Sequence, residues 1–516
     1  VNILLIYPEF PDTFWSFKYA VNFVNKNAVN PPLGLLTVAA LLPKEWNKRL
    51  IDLNVRPLTQ KDLAWADMAM ISAMDVQRSA AVRAIARCKE AGLKVVAGGP
   101  VFTEDYQSFT NVDHFVLNEG EITIPQFIRD LENGHPQPVY TTTEYADITQ
   151  TPLPMWDLLN LKDYDCMAVQ FSRGCPFNCD FCNVTALLGH RPRTKTAPQL
   201  IAELDKLYEV GWRRNIFIVD DNFIGNKRIL KEEVLPALIE WRKDKIGCLF
   251  ITEASINMAD DPQLMDMMAK AGFTSIFIGI ETPDEDSLTE CHKSQNRHRN
   301  LIENIHTLQR HGFQVMGGFI VGFDSDTPSI FDLQIQFIQE SGIVTAMVGL
   351  LQAPFGTELY RRLKQEDRIN TTFNGDNTDG TSNVIPLMDP EVLYSGYRRL
   401  LEQIYSPHLF YQRVKTQLSE LHINQAPVTL EWNEILAFFR SIWRLGIVGQ
   451  ERWEYWKLFF WALFTHPNKF PLAITYTIYG YHFRKISQLH VWAQTPQPAT
   501  RPNPALKQGT LPVAGQ

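Results

Sequence analysis

The stretch Phe171-Ser-Arg-Gly-Cys-Pro-Phe-Asn-Cys-Asp-Phe-Cys182 sets three thiols, Cys175, Cys179 and Cys182, in a C-x3-C-x2-C spacing. A short loop carrying glycine, proline and asparagine lets all three sulfurs turn toward one centre. Thiolates at this density hold iron–sulfur clusters, and three of them leave one iron of a four-iron cluster open to a small molecule. A structural zinc is the alternative, with Cys166 or His190 as fourth ligand. A disulfide has less support, because the chain has seven cysteines and its first residues show no secretory pattern.

The loop directly follows the first of six strand-then-helix units. Candidate strands at 167–171, 215–219, 248–251, 275–278, 314–320 and 347–351 alternate with helices such as 197–208, 300–310 and 330–340. Alternation at this length predicts a barrel or partial barrel over 166–365, with its chemistry at the carboxyl ends of the strands. Polar residues stand at several of those ends: Asp220-Asp221-Asn222 after the second strand, Glu253 after the third, Glu281 after the fourth. An acidic pair at a strand end also reads as a helix cap or a solvated turn. Cys88, Cys166, Cys248 and Cys291 read as small buried apolar residues, with Cys291 in Glu290-Cys-His292 also a candidate barrel-mouth thiol.

Upstream, strands at 2–7, 49–52, 68–72, 94–97 and 114–117 alternate with helices at 34–42 and 77–91. This predicts a doubly wound, Rossmann-like α/β domain over 1–135. Gly98-Gly99-Pro100 ends one strand, at the sheet edge where such folds bind ligands. No G-x-G-x-x-G is present, so a nicotinamide or flavin has little support. Residues 136–165, rich in proline and threonine, read as a linker, and 366–494 as a helical aromatic-rich domain. The Pro-rich end, 495–516, is expected to be disordered. Trp432, Trp443, Trp453, Trp456 and Trp461 crowd together in the helical region. They read first as core against the barrel, and second as a lid over an apolar substrate or a surface that meets lipid.

Composition narrows the class. The 516 residues, 45% hydrophobic and 21% charged, read as globular with two or three domains. A net charge of −8 argues against nucleic acid as the partner. Thiols in such a loop point to a reducing, cytoplasmic compartment. The most apolar run, 458–481, is split by Thr465-His-Pro-Asn-Lys469 and by Pro471, so no membrane crossing is expected, while contact with a membrane surface stays open.

C-x3-C-x-aromatic-C, with Phe181 before the last cysteine, resembles the signature of the radical S-adenosylmethionine (SAM) superfamily. The resemblance implies a [4Fe-4S] cluster on Cys175, Cys179 and Cys182, whose open iron is chelated by SAM. It places Phe181, Asp221, Glu281, Gly318, Ile320 and Gly322 at SAM, Asp221 at its amino group and the run Gly318-Phe-Ile-Val-Gly322 against adenine. The acidic residue expected three beyond Gly322 is replaced by Ser325, with Asp324 just before it. Glu253, Glu281 and Cys291 remain the candidates for catalysis.

Pro31-Pro-Leu-Gly-Leu-Leu-Thr-Val-Ala-Ala40 and Gly98-Gly-Pro100 resemble the cobalamin-binding domain that precedes many radical SAM cores. That likeness implies cobalamin at Pro32, Leu33, Gly34, Ser72, Gly98 and Gly99. The D-x-H-x-x-G motif that supplies a histidine to cobalt is absent, and His114 reads as a sheet-end residue. Together with Asp220-Asp-Asn-Phe-Ile-Gly-Asn226, Thr252-Glu-Ala-Ser-Ile-Asn257 and Gly317-Gly-Phe-Ile-Val-Gly-Phe323, the chain most resembles the cobalamin-dependent group that includes hopanoid C-2 methylases. This implies methylation of an unactivated carbon on an apolar, lipid-like substrate, with electrons from a donor such as ferredoxin or flavodoxin. Two rivals stand beside it: a radical SAM cyclase, rearrangement or oxidation enzyme that transfers no methyl, and a zinc-stapled binding protein with no activity.

Overall fold

A computed structural model describes residues 1–370, 373–376, 378–423 and 432–492. The expected disordered tail, 495–516, lies outside them. The first sheet is built from β1 (Asn2–Tyr7), β2 (Asn47–Asp52), β3 (Met68–Ser72), β4 (Lys94–Gly98), β5 (His114–Val116) and β6 (Val139–Tyr140), all parallel in the order β2-β1-β3-β4-β5-β6. Side chains alternate across a strand, so Ile3 and Leu5 of β1 enter one core with Leu35, Ala39 and Phe127, while Leu4 and Ile6 enter another with Ala81, Ile85 and Phe102. Helices therefore cover both faces, and the fold is doubly wound. The order reverses between β1 and β3, the point at whose carboxyl side such sheets take ligands.

β6 lies inside the stretch expected as a linker. Its pairing is made around a proline: Phe115 N–H donates to the Pro138 carbonyl at 2.8 Å and Leu117 N–H to the Tyr140 carbonyl at 2.9 Å. Proline is tolerated there because β6 is the edge of the sheet.

After β7 (Met167–Val169) the chain forms a short hairpin, β8 (Ser172–Arg173) with β9 (Arg193–Thr194), and the cysteines sit in the excursion between these two strands. β10 (Asn215–Ile218), β11 (Leu249–Glu253), β12 (Phe273–Glu281), β13 (Gln314–Val321) and β14 (Ala346–Leu350) complete a second parallel sheet in the order β14-β13-β12-β11-β10-β7. Its ends, β7 and β14, do not pair, so this is a partial (β/α)6 barrel. Outward residues such as Ile216, Phe250, Ile276, Ile278 and Val315 are fully buried against the helices Ala197–Glu209, Pro262–Ala271 and Leu301–Arg310. Each such side chain contributes about 1.5–3 kcal/mol. Inward residues, Phe217, Ile251, Glu253, Phe277, Met316 and Ile320, keep part of their surface open, so the barrel encloses a hollow.

The amino-terminal segment and the last long helix close the barrel floor. Phe14 stacks on Phe483 of the helix Phe470–Ser487 with centroids 4.2 Å apart, and His482 Nε2 lies 2.9 Å from the Phe14 carbonyl. Tyr476 hydroxyl meets Gln314 Oε1 at 3.1 Å, at the start of β13. Trp15 reaches further in, its ring edge-on to Phe277 at 5.3 Å and its indole N–H on Met347 sulfur at 3.0 Å.

Candidate active site

Asp220 anchors the start of the cysteine loop. Fully buried just past β10, it accepts Phe171 N–H and Ser172 N–H at 2.8 Å and the Ser172 hydroxyl at 2.6 Å. Burial pushes its carboxyl up to about 7 even against these donors. Of the acidic pair read from the sequence, Asp220 is thus the pin. Asp221 keeps its surface open within the hollow, and burial raises it to about 6. Glu253, next along at the end of β11, is driven to about 8 by burial and by the charges of Asp221 and Asp220.

The three cysteines are free and half-buried. Two amides aim N–H groups at them: Asn222 Nδ2 lies 4.0 Å from Cys175 sulfur, and Gln295 Nε2 lies 3.8 Å from Cys179 sulfur. Burial raises all three thiols, Cys182 up to about 12, so ligation must displace protons. Lys293 is the cation whose charge reaches all three. Among the described residues no three His, Cys, Asp or Glu side chains gather closely enough to hold a single metal ion. A four-iron cubane spreads its thiolates wider than one ion does, and the donor set of three thiols with amide N–H groups suits it. Cys166 stands at the start of β7 while the loop follows its end, which removes it as a fourth zinc ligand. His190 is exposed.

Lys293 meets Glu281 at 2.6 Å, and both are nearly buried. Glu281 reaches this position through a break in register between Gly279 and Glu281 and a left-handed φ of 64°. Asn296 Nδ2 holds the bulge by donating to the carbonyls of Gly279 and Ile280 at 3.0 and 2.9 Å. A Cβ on Gly279 would lie 2.8 Å from Lys293 Nζ and closer still to Glu281 Oε1, so glycine there is what lets the pair cross the strand end.

Gly318 and Ile320 are on the inner face of β13, opposite Met347 and Gly349. Gly322 turns the chain at φ 105°, and the carboxylate that secures this turn is Asp326, accepting Gly322 N–H at 2.7 Å and Phe323 N–H at 3.1 Å. Asp324 instead pairs with Arg362 and Arg368, and Ser325 bonds Glu290. The acidic residue sought three places beyond Gly322 thus stands four places beyond it. Phe181 lies 6.3 Å from Phe323, under Lys293. Cys291 is 1% exposed, in an apolar cluster with Phe323, Leu351 and Leu359 rather than in the hollow.

In the first domain, Ser72 and Gly98 are register partners at the ends of β3 and β4, and the helix Leu33–Leu41 begins at the same sheet end, directly after Pro32. A Cβ on Gly98 would strike the Val116 carbonyl at 2.5 Å, and one on Gly99 the Ser72 hydroxyl at 2.5 Å; one on Gly34 would meet nothing within 4 Å. This sheet end is therefore closely packed backbone at Gly98 and Gly99, and open at Gly34. His114 begins β5 at the opposite sheet end, bonded to the Gln137 carbonyl at 2.7 Å.

The two carboxyl edges face each other. Arg173 of β8 pairs with Glu121 at 2.7 Å, Arg193 of β9 with Glu119 at 2.7 Å, and Asn183, next to Cys182, donates to Glu104 at 3.0 Å. The sheet edge and the cysteine loop thus border one cleft. Lys293, Gln295, Asp326 and Trp15 were not singled out from the sequence, and Asn222 entered only as the last residue of the polar strand end Asp220-Asp221-Asn222; of the first four, only Asp326, one place from the acidic residue sought, had a local signal.

The pattern of the Radical SAM superfamily matches residues 169–336, and that of a domain of unknown function, DUF4070, matches 357–495. An uncharacterized methyltransferase of Synechocystis sp. is 39% identical over 95% of this chain and 92% of the relative. The hopanoid C-2 methylase of Rhodopseudomonas palustris is 33% identical over 88% of each chain. Among solved structures, the cobalamin-dependent SAM radical enzyme OxsB superposes with a TM-score of 0.60 at 15% identity, covering 94% of this chain and 80% of that one. The radical SAM methyltransferase TsrM superposes with a TM-score of 0.57 at 14% identity, covering 95% and 99%. The chain belongs to the radical SAM superfamily, in the methyltransferase group that includes the hopanoid C-2 methylase.

Proposed function

We propose that this enzyme transfers a methyl group from cobalamin to an unactivated carbon of an apolar, lipid-like substrate held in the barrel hollow. The observation that carries the reading is the shared cleft: the cysteine loop and the sheet edge are tied edge to edge by Arg173–Glu121 and Arg193–Glu119. When bound, a [4Fe-4S] cluster would supply the electron that cleaves SAM, and cobalamin would supply the methyl.

The protein's part is to hold and orient. Cys175, Cys179 and Cys182 would ligate the cluster, with Asn222 and Gln295 donating to two of the sulfurs. Asp221 would accept from the SAM ammonium, and Lys293, kept cationic by Glu281, would receive its carboxylate. Phe181, Gly318, Ile320 and Gly322 would border the remainder of SAM. Pro32, Leu33, Gly34, Ser72, Gly98 and Gly99 would lie along the corrinoid, with no histidine directed to cobalt.

The apolar substrate class follows from the hollow. Trp15, Phe277, Met316 and Met347 line its lower part, and Trp15 remains 39% exposed although its ring is packed inside the barrel. Glu253, raised to about 8 by burial and by the charges of Asp221 and Asp220, is an acid there able to donate to a polar group of the substrate. Polycyclic lipids of the hopanoid kind, the substrate named for the 33% identical relative, suit this lining. The test is turnover with methyl-labelled SAM, a low-potential ferredoxin or flavodoxin as donor, and a fractionated apolar lipid extract. Label in a lipid carbon supports the reading; SAM cleavage with an unlabelled, rearranged product would replace it with the cyclase or oxidation reading.

A further inference from the structure

The helical region carries an exposed face that the methyl-transfer reading leaves unused. Trp432, Phe439 and Trp443 are 70%, 61% and 64% exposed, and their spacing of seven and four residues puts them on one side of a helix. Ile447 and Val448 extend the stripe by one turn. The helix Arg452–Thr465 presents a second stripe through Trp453, Phe460 and Phe464, the last 77% exposed. The two stripes form one surface, because Trp456 N–H donates to the Gly446 carbonyl at 2.9 Å and stacks on Phe460 at 5.7 Å.

Charge chooses the occupant. The described acids of this region are held by cations: Glu451 is buried on Arg484, Glu454 pairs with Lys457, and Glu434 lies toward Arg214. The cations on the rim are not so held. Arg444 lies over the rings of Phe23 and Tyr481, Arg452 beside Trp453, and neither meets a carboxylate among the described residues. A basic rim around tryptophan and phenylalanine, on a chain whose net charge is −8, complements an anionic lipid surface. Trp and Tyr favour the headgroup level of a bilayer, and no helix among the described residues is long and apolar enough to cross one. The face is also placed for docking. Arg214, just before β10, and residues 22–24 under the helix Trp432–Ser441 both belong to the barrel floor, so the cleft at the other end stays free.

We propose that these two helices dock the enzyme in the plane of an anionic membrane interface. The proposal stands independently of which group is methylated. The experiment is co-sedimentation of the full chain with vesicles of phosphatidylcholine alone and of phosphatidylcholine mixed with phosphatidylglycerol, with light scattering of the protein alone. The wild type is expected to bind the anionic vesicles, more weakly as salt rises. The double substitutions Trp443→Ser/Phe464→Ser and Arg444→Glu/Arg452→Glu should each reduce binding by about tenfold or more, with iron content and SAM cleavage unchanged. All four side chains are solvent-facing, and an unchanged melting curve confirms that the variants fold. Equal vesicle binding by wild type and variants, or none by the wild type, overturns the proposal. A wild-type dimer that Trp443→Ser/Phe464→Ser converts to monomer, without vesicle binding, would assign the face to a second copy and overturn it as well.

Discussion

Arg173 and Glu121 meet at 2.7 Å across the gap between the two sheets, 13% and 10% exposed, and so set how far the cysteine loop stands from the first domain. Burial alone would raise Glu121, but the Arg173 hydrogen bond and charge outweigh it, so its carboxyl titrates below the ordinary range. A depressed folded-state value stabilises above the unfolded pKa of about 4.3 and is lost as pH falls through the folded value. Arg173→Met, which strands the Glu121 carboxylate while Glu119 keeps Arg193, should cost about 3 kcal/mol at neutral pH. Scanning calorimetry would register a fall of several degrees, with cobalt retention reduced more than iron. Unchanged cobalt would separate the ion pair from corrinoid binding.

Glu253 gives the opposite pH signature. Burial, then Asp221 and Asp220, raise it to about 8, so it enters the folded state protonated. A raised folded-state value means stability present below the unfolded pKa and lost as pH rises through the folded one. Glu253→Gln keeps the shape and removes that loss. The variant should gain on wild type steadily between about pH 4.5 and 8, by roughly 3–4 kcal/mol near neutrality. Urea melts of the metal-free protein at several pH values check this, and a difference that shrinks with rising pH would contradict it.

Gly279→Ala sets a methyl 2.8 Å from Lys293 Nζ and closer still to Glu281 Oε1, the far ends of two side chains that can move. The pair must shift, and the cysteine loop need not. Iron incorporation should stay near wild type while SAM affinity falls by about tenfold, about 1.4 kcal/mol. Equilibrium binding of SAM to the reconstituted protein reads it. Equal losses of iron and SAM binding would mean that the strand end as a whole had collapsed.

Gly34 and Gly98 separate fold from corrinoid binding. Gly98→Ala collides with the Val116 carbonyl and should destabilise the first domain by about 2 kcal/mol or more. Gly34→Ala meets open space in the first turn of a helix and should stabilise the cobalamin-free protein by about 0.5–1 kcal/mol. The same variant should retain less cobalamin if Gly34 lies along the corrinoid as proposed, because its methyl would take that space. Thermal melts with and without hydroxocobalamin distinguish the two effects.

Much of this was legible in the chain because it is local. The cysteine spacing, the six strand–helix units and the glycines at strand ends are each carried within a dozen residues, and both sheets follow from them. What was hidden depends on distance. Trp15 meets Phe277 from the far end of the sequence, and nothing near Phe14 or Phe17 marks that segment as part of a barrel floor. Lys293 lies twelve residues past Glu281, and only the bulge after Gly279 brings them together. β6 escaped because two residues beside Pro138 look like a connection until their carbonyls are seen paired with β5. Asp220 and Asp221 are adjacent in sequence, yet one is a pin and the other lines the hollow, a division made by the loop's backbone N–H groups.

The central claim is that one cleft holds both an iron–sulfur cluster and a corrinoid. The most direct measurement is metal content and visible spectrum after anaerobic reconstitution with iron, sulfide and hydroxocobalamin. About four irons and about one cobalt per chain are expected, with iron lost in a Cys175/Cys179/Cys182→Ala triple variant and cobalt reduced in Gly34→Ala. Four irons without cobalt would contradict it, leaving a radical SAM barrel whose first domain serves some other purpose.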